Sequence, residues 1–170
     1  MMMFNKIGVI NYNMSLEEIE KLVEPCTCKA CSVGCMYGSG AMVENDIVNI
    51  ADFLNISQDE LKEKYLEKIK KFNTERFRPK ILRRDSKPYG PCIFFKEGRC
   101  VVHPVKPIEC RISMGCRPYG EELIQWFTAH YFVNPHDKES LREWEIVVNL
   151  NGTIEGAAPD EIVMNSTEKC

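Results

Sequence analysis

Apolar residues recur along this chain mainly at helical spacing, with one short stretch at the spacing of strands. Ser15 followed by Glu18 forms a capping-box signature that opens a short helix through about Val23, where Pro25 stops it. Over 44–54, "ENDIVNIADFL" places Ile47, Ile50, Ala51 and Leu54 on one helical stripe. Ser57 with Glu60 opens a second capped helix, expected to run to about Phe72 with Leu61, Tyr65, Leu66 and Ile69 on its buried side. Between these helices and the preceding one lies "CTCKACSVGC" at 26–35, which reads as a loop freed by Gly34, Gly38 and Gly40.

Residues 73–91 read as irregular, broken by Pro79, Pro88, Gly90 and Pro91. In "CIFFKEGRCVVHP" the pattern changes. Two apolar runs, Ile93–Phe95 and Val101–Val102, flank Lys96-Glu97-Gly98 and predict a small hairpin with a cysteine opening each half. A proline-bounded turn or single helical turn follows in "PVKPIECRISMGC". Helical spacing resumes at Tyr119, with Leu123, Trp126, Phe127, Tyr131 and Phe132 apolar, and again over about 138–150, where Asn151-Gly152 ends it. After Gly156 the tail is expected to be loose. The predicted class is mainly α with a small β-hairpin, in which helices flank an irregular cysteine-rich core.

At 170 residues, 44% hydrophobic and 28% charged, the chain has the size and make-up of one globular domain spanning 1–170. The opening "MMMFNKIGVINYNMS" lacks the pattern of a secretory signal, and no apolar run approaches membrane-spanning length. A cytoplasmic location is therefore expected, where thiols stay reduced. The net charge of −3 hides an asymmetry: 62–87 carries eleven Lys or Arg against four Asp or Glu, leaving the remainder at −10. That basic segment reads as a solvated helix face or as a docking surface for an acidic protein partner. A chain that is negative overall is a weak nucleic-acid binder.

Nine cysteines change the picture most. Cys26, Cys28, Cys31 and Cys35 form one group; Cys92, Cys100, Cys110 and Cys116 form a second; Cys170 stands apart. In a reducing compartment two compact groups argue for a metal centre, since soft thiolates suit zinc, copper(I) and iron–sulfur clusters. A structural zinc site usually pairs two C-x2-C units, and the second group has none. Its irregular gaps suit the spread corners of an iron–sulfur cluster at least as well. Eight ligands suffice for two four-sulfur sites; fewer leave one cluster and spare thiols. The C-x3-C-x2-C order of radical-SAM enzymes is reversed here, and a ferredoxin run is missing.

Arg111, directly after Cys110, is a candidate to donate hydrogen bonds to the sulfurs, with a carboxylate-paired arginine as the plainer reading. His103 is a candidate ligand or neighbour of one, or an exposed imidazole. His130 reads as a packed helix residue, His136 as a residue near a cap, and Trp126 and Trp144 as core. No nucleotide-binding loop, nucleophile elbow or H-E-x-x-H motif is present.

With these residues in view, the chain resembles the YkgJ-like CxxCxxCC cysteine-cluster family, a zinc- or iron-chelating domain. Its members open with C-x2-C-x2-C-C, continue to a helix starting "D-I", and close with C-P-F-L, C-x-I-Y and R-P-x-x-C-R. Here the matching residues are Cys28, Cys31 and Cys35, then Asp46-Ile47, then Cys92-Ile93-Phe94-Phe95, Cys100-Val101-Val102-His103 and Pro107-Ile108-Glu109-Cys110-Arg111. The adjacent cysteine pair is replaced by Cys35-Met36, and the arginine ahead of the proline by Lys106. Cys26 and Cys116 fall outside the pattern and are the candidates to replace the missing ligand.

The resemblance divides the chain into a family-like core at 26–118, a C-terminal helical extension at 119–156 and the tail at 157–170. It implies a metal centre, expected to be an iron–sulfur cluster of the four-iron, four-sulfur type, with Zn2+ as the alternative cofactor. The corresponding functions are a redox, sensing or uncharacterised modification role, a structural zinc module for protein–protein contacts, or an enzyme related to flagellin lysine methylation.

Overall fold

The computed structural model describes residues 9–23, 29–113 and 117–167, and for 29–31 the backbone alone. The chain is mainly α with a small antiparallel β component. Helix α1 (Leu16–Lys21) begins where both halves of the capping box form: Glu18 Oε2 accepts the Ser15 N–H at 2.7 Å, and Ser15 Oγ accepts the Glu18 N–H. Helix α3 (Glu44–Leu54) buries Ile47, Ile50 and Ala51, as its stripe predicts, and ends on Asn55 in the left-handed region.

Three expectations are corrected. The cysteine-rich stretch is not all loop, because Lys29–Tyr37 forms helix α2. Lys29, Ala30 and Met36 favour a helix strongly enough to carry the weaker helix formers Cys31, Cys35 and Gly34.

The long helix to Phe72 is also replaced. Helix α4 (Gln58–Tyr65) stops at Leu66, and strand β1 (Leu66–Lys71) pairs antiparallel with β2 (Thr74–Pro79) across Phe72-Asn73. Both turn residues have positive φ (49° and 53°), the conformation of a two-residue hairpin turn. The stretch read as irregular thus supplies a strand. Its tip is held against the last long helix, where Asn73 Nδ2 donates to Asp137 Oδ2 at 2.7 Å and Asn73 N–H to Glu143.

The tail is ordered as well: helix α8 (Pro159–Thr167) starts at a proline followed by Asp160 and Glu161 and buries Ile162.

The second hairpin follows the sequence reading. Strands β3 (Phe95–Lys96) and β4 (Arg99–Cys100) are joined by Glu97-Gly98, both at positive φ. A 3-10 turn (His103–Val105) leads into α5 (Ile108–Ile112), then α6 (Gly120–Tyr131) and α7 (Lys138–Asn151), which ends at Gly152. No helix among the described residues is long and apolar enough to cross a membrane.

Two apolar cores result. One gathers Ile10, Ile19, Ile108, Ile112, Trp126, Phe127 and Trp144, so both tryptophans are core residues. His130 packs into this core between the rings of Tyr12 and Trp126, with Nε2 2.7 Å from the Tyr12 carbonyl. The other gathers Met42, Ile47, Ile50, Leu61, Cys92 and Phe94 around α3 and the cysteine hairpin. Ala41 belongs to the first core and Met42 to the second, so the chain crosses the seam at that peptide. Asp46 fastens the seam: its buried Oδ2 accepts the Val43 N–H at 3.0 Å and the Ile108 N–H at 3.1 Å, tying α3 to α5.

Candidate metal centre

A partly open cavity of about 490 Å³ lies at the seam, and Cys35, Cys92, Cys100 and Cys110 all line it. They come from α2, from the segment before β3, from β4 and from α5. Main-chain bonds set their relative positions. The Cys92 N–H donates to the Cys35 carbonyl at 2.8 Å, Ile81 and Cys92 form an isolated bridge, and Phe95 N–H closes a turn on the Cys92 carbonyl. Cys100 is paired with Phe95 across the hairpin.

Main-chain amides also act on the thiols. The Gly40 N–H donates to Cys110 Sγ at 3.3 Å, and the nearby amides of Phe94 and Phe95 act to lower the Cys92 thiol, as that of Val102 does for Cys100. Such donors stabilise thiolate charge and tune thiolate-bound metals. Gly40 is needed for this approach. A Cβ there would stand 2.7 Å from Cys110 Sγ and 2.9 Å from the Cys110 nitrogen. Beside it, the Ala41 N–H donates to the Glu109 carboxylate, which locks the same loop onto α5.

Without a metal, these thiols are costly to ionise. Burial pushes Cys92 up to about 11 despite its two amides, and pushes Cys110 above the ordinary thiol range. Burial raises Cys35 and Cys100 too, and for both the Lys106 ammonium acts in the opposite sense. The four sulfurs also feel one another, since a charge on Cys35 raises Cys92, Cys100 and Cys110. The donor set is therefore soft and mutually coupled, with Cys92 buried and Cys35, Cys100 and Cys110 partly buried, which suits a thiolate-bound metal centre. Among the described residues, no group of three or more His, Cys, Asp or Glu stands ready to hold a single ion.

The remaining sequence candidates fall as follows. Cys31 lies one turn before Cys35 in α2. Cys26, Cys28 and Cys116 lie outside the described residues, as does Pro25. His103 lines the cavity. Arg111 forms an ion pair with Glu20 at 3.1 Å and lies close enough to Asp46 to lower its pKa, while burial sets the net direction of Asp46 upward. It is Lys106, not singled out in sequence as a site residue, that joins the cysteines on the cavity wall. A 3.6-residue repeat provides a signal for this difference: adjacent residues of α5 are about 100° apart, so Cys110 and Arg111 point different ways.

The basic segment is partly neutralised from within. Lys64 pairs with Glu60, Lys68 with Glu75, and Arg78 and Arg83 both with Glu67. Against known proteins, the chain matches no family model, no curated protein and no solved structure.

Proposed function

We propose that this protein holds an iron–sulfur cluster in the seam cavity and serves a redox function in a reducing, cytoplasmic compartment. One observation carries the reading: cysteines from four separate segments line one cavity, and one of them, Cys110, receives a main-chain amide on its sulfur. Cys35, Cys92, Cys100 and Cys110 are the proposed ligands from the described residues, with Cys26, Cys28, Cys31 and Cys116 the candidates to complete or exchange with them. When bound, a cluster supplies one-electron chemistry. The chain fixes the thiols, sets the buried Phe94 and Pro107 on the cavity wall, and directs the Gly40 amide to the Cys110 sulfur. The irregular cysteine gaps are compatible with the spread corners of a cluster.

The cations of 62–87 with no carboxylate partner among the described residues, Arg84 and Lys87 included, are the proposed contact for an acidic electron donor or acceptor.

Anaerobically purified protein is expected to be coloured and to contain iron and acid-labile sulfide. Colourless protein with stoichiometric zinc and no sulfide favours a structural zinc module and overturns the cluster. Cys110→Ser is expected to lose metal and thermal stability together. Unchanged metal content in that variant removes Cys110 from the ligand set.

A further inference from the structure

Thiolates gathered around one metal centre leave it with net negative charge, which a main-chain amide offsets only in part. A fixed positive charge nearby would offset more of it, and the sequence offers Arg111 as the obvious source. The fold turns that residue towards Glu20 instead. Arg99 reaches the cavity from the exposed hairpin turn, where water and salt weaken its field. Lys106 differs from both. It is half-buried, lines the cavity beside Cys35 and Cys100, and makes no ion pair with a carboxylate among the described residues. The 3-10 turn before it and the buried Pro107 after it fix its backbone. The cavity wall covers part of the lysine stem, so its ammonium is held near Cys35 and Cys100, on whose thiols its charge acts.

We propose that Lys106 is the positioning cation of the centre, balancing its thiolate charge and favouring its reduced state; this rests on the cluster reading given above. An added electron makes the centre more negative, so a fixed positive charge stabilises the reduced form more than the oxidised one and raises the potential.

The test is a mediated potentiometric titration of the anaerobically purified full chain, with iron and sulfide content determined on the same samples. Lys106→Met is expected to shift the one-electron reduction equilibrium at least tenfold towards the oxidised form, about 59 mV. Lys106→Arg is expected to stay near the wild-type value. Arg99→Met is expected to give a smaller shift that fades at high salt. A reducible centre whose potential is the same in Lys106→Met and wild type overturns the proposal while leaving the cluster intact. If Lys106→Met fails to load, loading restored by Lys106→Arg supports charge balance, and failure of both variants shows that lysine packing, not charge, is at stake and overturns it. Wild-type protein containing zinc and no sulfide overturns the cluster reading itself, and it does so before any variant is compared.

Discussion

Replacing Gly40 by alanine tests both the seam and the site with one methyl group. The new Cβ would meet Cys110 Sγ at 2.7 Å, the Cys110 nitrogen at 2.9 Å and Glu109 Cβ at 3.1 Å. Sulfur could rotate away, but the nitrogen is main chain, so either α5 or the 38–41 segment must move. Overpacking of this kind costs about 1–3 kcal/mol. Separation also weakens the Gly40 amide bond to sulfur, worth about 1 kcal/mol to a neutral thiol and more to a thiolate.

We therefore expect Gly40→Ala to destabilise the metal-free protein by about 2–4 kcal/mol. For a chain of this length that lowers Tm by roughly 4–16 °C. Iron content of anaerobic preparations should fall with it. Gly34→Ala is the control: a Cβ there meets nothing within 4 Å, and the position is helical. It should be neutral or stabilise by up to about 1 kcal/mol. Thermal unfolding by circular dichroism, run beside metal analysis, decides. If Gly40→Ala melts with Gly34→Ala and keeps its iron, the close approach of this loop to Cys110 is wrong.

Two further outcomes follow from buried or paired carboxylates. Arg83 first, then Arg78, holds the Glu67 carboxyl below its ordinary range, so its contribution is present above the unfolded carboxylate pKa and is lost as pH falls through the folded one. The pairs are partly exposed, so Glu67→Gln should cost no more than about 1 kcal/mol at pH 7 and nothing in strong acid, as read by urea unfolding across that range; an equal cost at both ends would refute the pairing. Asp46→Ala leaves the Val43 and Ile108 amides without their acceptor and should cost about 2–4 kcal/mol, whereas Asp46→Asn keeps an acceptor oxygen and should cost clearly less. Equal losses in urea unfolding of the two variants would show that the carboxylate does not bridge α3 to α5.

Much of the fold is legible where local signals agree. The Ser15 box, the 44–54 stripe, the turn at Glu97-Gly98 and the stop at Gly152 each combine a period with a cap or a turn. Failure came where a period was ambiguous. Leu61, Tyr65 and Ile69 fit a helix, but the segment after Tyr65 is claimed by pairing with Thr74–Pro79, a partner no local pattern announces. At 29–37 Lys29, Ala30 and Met36 favour a helix while Gly34 and the cysteines do not, so local composition leaves the state open. At the tail, Pro159 with Asp160 and Glu161 was a start signal that the absence of a long apolar run obscured.

The candidate site was legible as a set of cysteines because thiol chemistry is written in residue type. Its surroundings were not, since helix rotation, and not neighbourhood in the chain, decides that Lys106 and not Arg111 lines the cavity.

The placement of the cavity has a consequence for how the molecule comes apart. Cys92 and Cys100 are embedded in the packing of one core, while Cys110 lies between Ile108 and Ile112 of the other. A centre bound by all three fastens the two bodies of side chains at one more point. It adds to the Asp46 bridge, the Gly40 loop and the β1–β2 hairpin, whose Leu66 packs in one core while Ile69 and Phe72 pack against the other, so loss of metal is expected to lower the melting point of the whole molecule.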